Sequence, residues 1–124
     1  MNFRRVNLEN WNNNQYLDGS GLSKVFIMMQ RNFDQILLSK NPTLQHLELP
    51  VDHHIAYIEY QLKDNMLTLV HTEVPEALRG QGVGSAIISK ALEYAQTHQL
   101  KIKPECSFVI AYIQRHPEWL PYTQ

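Results

Sequence analysis

Apolar and polar positions alternate most regularly along residues 54–62. Successive side chains of a strand point to opposite faces of its sheet, so this alternation predicts a strand with one buried face. The apolar positions are Ala56, Ile58, Tyr60 and Leu62. Residues 63–65 read Lys-Asp-Asn, which is a turn composition, and the β-branched run 66–74 predicts the returning strand of a hairpin. A shorter strand is predicted over residues 47–49.

Two further stretches repeat apolar residues at helical spacing, and each predicts an amphipathic helix. The first starts at Leu22, is stopped by Asn41-Pro42, and has its apolar positions at Val25, Phe26, Met29, Phe33, Ile36 and Leu37. The second has its apolar positions at Val83, Ile87, Ile88, Ala91, Leu92 and Ala95. A short strand over residues 101–105 follows, and then a last helix with Ser107 as its N-cap and Pro117 as its stop.

The order of these elements predicts an α/β (α+β) fold. The hairpin requires antiparallel pairing, and the strand, helix, strand order after it predicts a parallel pair joined by the second helix. We therefore expect a mixed, mainly antiparallel sheet flanked by helices. Strict alternation along the second hairpin strand places His71 on the same side as Leu67, Leu69 and Glu73.

Size and charge narrow the classes of function. A chain of 124 residues is suited to a single domain with one core. The net charge of -1, from 11 basic and 12 acidic residues, favours neither nucleic acid nor an anionic membrane as a partner. A lone cysteine excludes an internal disulfide, and the histidines show no metal-ligand spacing, so we expect no metal site. With no long apolar stretch or signal-peptide pattern, the expected compartment is the cytoplasm.

A glycine-rich loop carries the most informative chemistry. Residues 79–84 read Arg-Gly-Gln-Gly-Val-Gly and lie between the predicted hairpin and the second helix. Glycines let main-chain N–H groups approach an anion, and a helix N-terminus adds unpaired donors and partial positive charge. The loop therefore predicts a phosphorylated cofactor. It lacks the spacing of the dinucleotide fingerprint and the Gly-Lys-Ser/Thr ending of a P-loop.

The placement of Arg79, Gly82 and Gly84 after a strand resembles the acyl-CoA pyrophosphate loop of the GCN5-related N-acetyltransferases, with the pattern Arg/Gln-x-x-Gly-x-Gly/Ala. The wider stretch 71–85, the block Pro104-x-Cys106-Ser107-Phe108 and residues 112–118 resemble the small single-domain branch of that superfamily. The resemblance runs from about His54 to Trp119. It implies the acetyltransferase fold for a family core at residues 46–124, preceded by an extra segment at residues 1–45 within the same domain.

The resemblance also implies which residues hold acetyl-CoA, the expected cosubstrate. Strand backbone near Val74 would align the pantetheine arm, and the loop with the start of the helix would hold the pyrophosphate. The loop and helix residues are Arg79, Gly80, Gln81, Gly82, Val83, Gly84 and Ser85.

Two residues are candidates for catalysis, and each has a plain structural alternative. Cys106 directly precedes the last helix, where the helix N-terminus favours a thiolate, although a lone cysteine is more often a small buried apolar residue. His71 precedes the loop and could accept a proton from an amine, or simply tie its strand to a neighbour. In the proteins that the chain resembles, a cysteine at this position lies beside the thioester and a histidine is its proposed partner. Glu73 is an alternative base.

The first functional hypothesis is an N-acetyltransferase acting on an amine of a small molecule or a protein. Either an amine attacks directly with His71 as base, or Cys106 first takes the acetyl group. The alternative is a non-catalytic module that binds CoA or acyl-CoA, and a weaker one is a nucleotide-binding protein. Monomer and homodimer both stay open, because residues 1–45 could supply either an acceptor wall or a dimer contact.

Overall fold

Five strands form one mixed sheet in the computed structural model, which describes residues 32–124. The strands are β1 (Ser39–Asn41), β2 (His46–Val51), β3 (His54–Lys63), β4 (Met66–Glu73) and β5 (Lys101–Pro104). They lie in chain order, with antiparallel pairing from β1 to β4 and parallel pairing between β4 and β5. The predicted fold class is confirmed.

Two α-helices and two short 3₁₀ helices complete the unit that Ile36–Gln124 form. Helix α1 (Val83–Thr97) links β4 to β5, and α2 (Ser107–Arg115) follows β5. The 3₁₀ helices span Glu76–Leu78 and Pro117–Tyr122. The apolar face of α1 is buried as its spacing predicts, and all six positions of the predicted stripe lie in the core. Within the described part of the chain, no helix has both the length and the apolar character needed to cross a membrane.

The hairpin between β3 and β4 closes through the turn that the sequence predicts. Asp64 and Asn65 both have positive φ, at 53° and 61°, and the flanking Lys63 and Met66 are paired. Two consecutive left-handed residues form the type of two-residue turn that matches the twist of antiparallel strands, and Asp and Asn tolerate this conformation better than most residues. The turn therefore sets the register of the central strand pair.

A β-bulge interrupts that register further along β4. Tyr60 is paired with Leu69, whereas its neighbour Glu59 is paired with His71, so Val70 is an extra residue in β4. One extra residue reverses the side to which the following side chains point. Thr72 consequently shares the buried face with Leu69, whereas His71 is exposed. The prediction that His71 lies on the side of Leu67 and Leu69 is wrong for this reason.

The first predicted helix is wrong over its last ten residues. Residues 32–38 are not helical and Ser39–Asn41 form edge strand β1, while the earlier part of that prediction, residues 22–31, lies outside the described residues. The side chain of Asn41 explains the difference. Its Oδ1 accepts a hydrogen bond from the Leu44 N–H at 3.1 Å, and its Nδ2 donates to Glu48 Oε2 at 3.1 Å. These bonds stabilise a turn from β1 into β2, and this tertiary pairing overrides the apolar periodicity.

The loop between β4 and α1 depends on two glycines in the left-handed region. Gly80 has φ of 77° and Gly82 has φ of 85°, and no atom lies within 4 Å of a Cβ built at either position. Backbone conformation, rather than lack of space, therefore requires glycine there. Gly84 is different because it is helical, and a Cβ at this position would meet Val74 Cγ2 at an ordinary 3.7 Å.

The central strand offers a test of where the stability resides. Ile58 is fully buried in β3, whereas Ile55 on the same strand is 51% exposed. We expect Ile58→Ala to lower the free energy of unfolding by about 2–5 kcal/mol, because it removes packed core atoms and leaves a cavity. Ile55→Ala should change it by about 0.5 kcal/mol or less. Urea denaturation of both variants checks the difference, and equal losses would contradict the burial of this face.

Alanine substitutions at two of the loop glycines should change the stability of the fold in opposite directions. Gly82→Ala should destabilise the fold by about 1–2 kcal/mol, because an alanine must adopt the left-handed conformation. Gly84→Ala should stabilise it by up to about 1 kcal/mol, because alanine is the better helix former and the new methyl group fits against Val74. Thermal and urea unfolding measure both changes, and a stabilising Gly82→Ala would show that the loop is not held as described.

Candidate functional site

A cleft opens where the pairing between β4 and β5 ends. The parallel register runs from Met66 opposite Lys101 to Leu69 opposite Pro104 and stops there. The Leu69 carbonyl accepts hydrogen bonds from the N–H groups of both Glu105 and Cys106, each at 3.0 Å. Beyond this point β4 continues to Glu73, while the backbone that follows β5 turns into α2. The two backbones separate, and the gap is left at the edge of the sheet.

The cleft has a volume of about 480 Å³. It is lined by the end of β4, the glycine-rich loop, the first turn of α1 and one side chain of α2. These residues are Thr72, Glu73, Val74, Leu78, Arg79, Gly80, Gly82, Val83, Gly84 and Phe108. Its volume lies in the range of small-molecule sites. Six of the eight residues predicted to hold the cofactor line it, and the other two, Gln81 and Ser85, lie next to them in the chain.

The first turn of α1 presents main-chain N–H groups at this cleft. Gly82 is the N-cap residue and no side chain caps the turn. The first bond within the helix runs from the Ala86 N–H to the Gly82 carbonyl at 3.0 Å. The N–H groups of Val83, Gly84 and Ser85 precede that bond, so helix geometry gives them no acceptor within α1. Such a turn attracts an anion through its donors and its partial positive charge.

Helix α2 also begins at the cleft. Cys106, with φ of -76° and ψ of 132°, is its N-cap residue, and Ser107 is its first helical residue. The prediction of Ser107 as N-cap is therefore wrong by one position, because the bond from the Cys106 N–H to Leu69 holds Cys106 in an extended conformation. In the first turn of the helix, Phe108 lines the cleft although its side chain is 66% exposed.

Arg79 lies along the end of β4. Its Nε donates to the Val74 carbonyl at 3.2 Å, and its Nη2 lies 3.7 Å from Glu73 Oε2. Both side chains of this ion pair are substantially exposed, so solvent screens the attraction and the pair contributes little to stability. The guanidinium group is thus held loosely at the mouth of the cleft, within reach of an anion bound there.

Glu73 also contacts His71. The distance from His71 Nε2 to Glu73 Oε1 is 3.4 Å, and the imidazole is 55% exposed. If Nε2 carries the hydrogen that the carboxylate accepts, Nδ1 keeps a lone pair and can accept a proton; this tautomer is assigned from the hydrogen-bond partner. His71 therefore combines exposure with a carboxylate that orients it, which is the arrangement of a general base.

Cys106 occupies a different environment. Its side chain is 5% exposed, and its Sγ donates a hydrogen bond to Thr72 Oγ1 at 3.3 Å. His71 and Thr72 are neighbours in a strand, so their side chains point to opposite faces of the sheet. The structure does not join Cys106 and His71 in one cluster, because the first contacts Thr72 and the second contacts Glu73.

Thr72 lines the cleft, although the sequence marked it only as part of the matched stretch 71–85. Its position becomes meaningful only through the bulge at Val70, which turns it toward the buried face, and no feature of the local sequence marks that bulge. Phe108 was recognised only as part of a matched block. Among residues 32–124, no group of three or more His, Cys, Asp or Glu side chains could hold a metal ion.

Comparison with known proteins finds relatives of part of the chain. Protein NATD1 of Gallus gallus and that of Mus musculus are each 32% identical to the chain over 66 residues, which is 53% of this chain and 59% of each relative. The chain thus matches about three-fifths of the length of these curated relatives. A solution structure of a GCN5-like protein from Staphylococcus aureus, 24% identical, superimposes with a TM-score of 0.55 over 76% of this chain and 91% of its own. That likeness supports the fold.

A whole-family comparison extends over more of the chain than the matches to the two NATD1 proteins do. The sequence profile of the family described as GCN5-related N-acetyl-transferase matches residues 46–122, from the start of β2 to the end of the last 3₁₀ helix. This match includes the glycine-rich loop, both α-helices and every residue that lines the cleft. Because it spans more than half of the 124 residues, the chain belongs to the GCN5-related N-acetyltransferase family.

Proposed function

We propose that this protein is an N-acetyltransferase that uses acetyl-CoA and transfers its acetyl group directly to an amine. Membership of the family supports acetyl transfer in general. The observation that carries the choice of acetyl-CoA is the loop with Gly80 and Gly82 in left-handed conformations, which leads into an uncapped helix turn at the cleft.

The residues present fit a coenzyme that has a diphosphate and a long neutral arm. The N–H groups of Val83, Gly84 and Ser85 suit the diphosphate, and Arg79 at the mouth adds positive charge. The gap beyond Leu69 leaves strand backbone near Val74 beside the cleft, where an amide-containing arm finds hydrogen-bonding groups. Acetyl-CoA supplies an acetyl group activated as a thioester.

The base that best suits an attacking amine is His71. It is exposed, Glu73 orients it, and Glu73 itself lines the cleft. A positioned imidazole accepts the proton that the amine loses, and the neighbouring carboxylate stabilises the resulting imidazolium. Cys106 is less suited to be the nucleophile, because its thiol is buried and its hydrogen is donated to Thr72.

Calorimetry tests the coenzyme. Acetyl-CoA titrated into the protein should give saturable heat at one site, and ATP should bind more weakly because it lacks the pantetheine arm. Arg79→Gln should weaken acetyl-CoA binding by about tenfold, which corresponds to about 1.4 kcal/mol for one charged contact. Arg115→Gln, at the C-terminal end of α2, is the matched control and should bind as the original chain does. The absence of heat with acetyl-CoA would refute this part of the proposal.

The role of His71 predicts a loss of rate with retained binding. His71→Gln should lower kcat by about 10² to 10⁴-fold, because proton transfer to the imidazole is lost, while the affinity for acetyl-CoA stays unchanged. His54→Gln, at the exposed start of β3, should leave both quantities unchanged. CoA release across a panel of small amines and peptides measures kcat.

Two outcomes would change the assignment. Intact mass measured with acetyl-CoA and no acceptor should show no acetyl group on the protein, and an acetyl group on Cys106 would establish the covalent route instead. Tight binding of acetyl-CoA with no CoA release above hydrolysis, for any acceptor, would identify a non-catalytic binding module.

A further inference from the structure

The cleft has two ends of different chemistry. At one end lie the glycine-rich loop, the first turn of α1 and Arg79, which offer N–H groups and positive charge. A Cβ built at Gly84 would meet Val74 Cγ2 at 3.7 Å, so this end lies beside Val74. The other end lies where β4 and α2 separate, and it is lined by Thr72 and Phe108. The two ends therefore suit different parts of one ligand.

Thr72 and Phe108 lie at the same end of the cleft although they belong to different elements. Thr72 Oγ1 is 3.3 Å from Sγ of Cys106, which is the N-cap of α2, and Phe108 follows in the first turn of that helix. In acetyl-CoA the pantetheine arm separates the diphosphate from the thioester. A coenzyme whose diphosphate lies at the loop therefore has its acyl group at the end that Thr72 and Phe108 line. We refer to this as the acyl end.

The walls of the cleft differ in how firmly they are packed. Thr72, Leu78 and Val83 are 5%, 1% and 1% exposed, and side chains in a close-packed interior do not recede without strain. Phe108 is mostly exposed, and among the lining residues in the described part of the chain it alone comes from α2. A ligand in the cleft can cover the ring, which removes apolar surface from water.

We propose that Phe108 closes the acyl end of the cleft and restricts the acyl group to a short one. This inference rests on the proposed function and names the class of acyl donor, a short-chain acyl-CoA. A short acyl group leaves room for the ring to pack over the end of the coenzyme. A longer chain meets the ring on one side and the buried Thr72 on the other. Phe108 thus determines specificity through its size.

Calorimetry with a series of acyl-CoA molecules tests this role without turnover. The original chain should bind hexanoyl-CoA at least about tenfold more weakly than acetyl-CoA, because the extra methylene groups find no room. In Phe108→Ala the difference should fall below about threefold, which is less than a single methylene group costs in a closed pocket. Phe108→Leu, with a side chain of intermediate size, should lie between the two.

Ile110→Ala is the matched control for these measurements. Ile110 lies on the same helix, is 40% exposed and does not line the cleft, so this variant should keep the preference of the original chain for acetyl-CoA. Because Phe108 and Ile110 are both exposed, each alanine variant should unfold at the same urea concentration as the original chain. A changed acyl preference in Phe108→Ala alone then reports the cleft and not the stability of the fold.

The failures of the two proposals are distinguishable. An original chain that binds hexanoyl-CoA as tightly as acetyl-CoA would overturn the role of Phe108 alone, as would a tenfold difference that persists in Phe108→Ala or is equally lost in Ile110→Ala. Binding with the expected dependence on acyl length but without CoA release would support the role of Phe108 and refute only the acetyltransferase reaction. An original chain that binds no acyl-CoA of any length would overturn both proposals.

Discussion

The carbonyl oxygen of Leu69 determines where the sheet opens. It accepts hydrogen bonds from two successive N–H groups, those of Glu105 and Cys106, and so ends the β4–β5 pairing at the point where α2 begins. The next residue of β4, Val70, is the extra residue of the bulge. A bulge bends its strand and increases the local twist, which carries the end of β4 away from the start of α2. Backbone hydrogen bonding therefore determines where the cleft lies, and the side chains determine how it is lined.

The same bulge gives one short segment two chemical environments. His71, Thr72 and Glu73 are consecutive, and strand geometry sends their side chains to alternate faces. His71 and Glu73 contact each other on the exposed face, whereas Thr72 contacts Cys106 on the buried face. An exposed imidazole and a buried hydroxyl thus lie on either side of a single strand, a few residues from the glycine-rich loop. Had the alternation continued without the bulge, His71 would occupy the buried face.

The features that could be predicted from the sequence are those that residues close together in the chain determine. The hairpin turn at Asp64 and Asn65, the apolar stripe of α1 and the loop glycines each follow from residue type and spacing, and the structure bears them out. The bulge is different, because no residue type around Val70 marks it, and only the pairing of Tyr60 with Leu69 and of Glu59 with His71 reveals the extra residue. The same holds for Asn41, whose side-chain bonds to Leu44 and Glu48 form only once β2 is in place.

Both helices begin at the cleft without the acidic residues that usually stabilise a helix start. Acidic residues usually stabilise the first turn of a helix, because they offset its partial positive charge. Neither α1 nor α2 has an Asp or Glu in its first turn, and no side chain caps either N-terminus. Two helix ends therefore present uncompensated positive charge beside the same cleft, at a cost in stability that the buried face of α1 offsets. An anionic ligand would supply that compensation, so the features that cost the fold stability are those that favour an anion at this cleft.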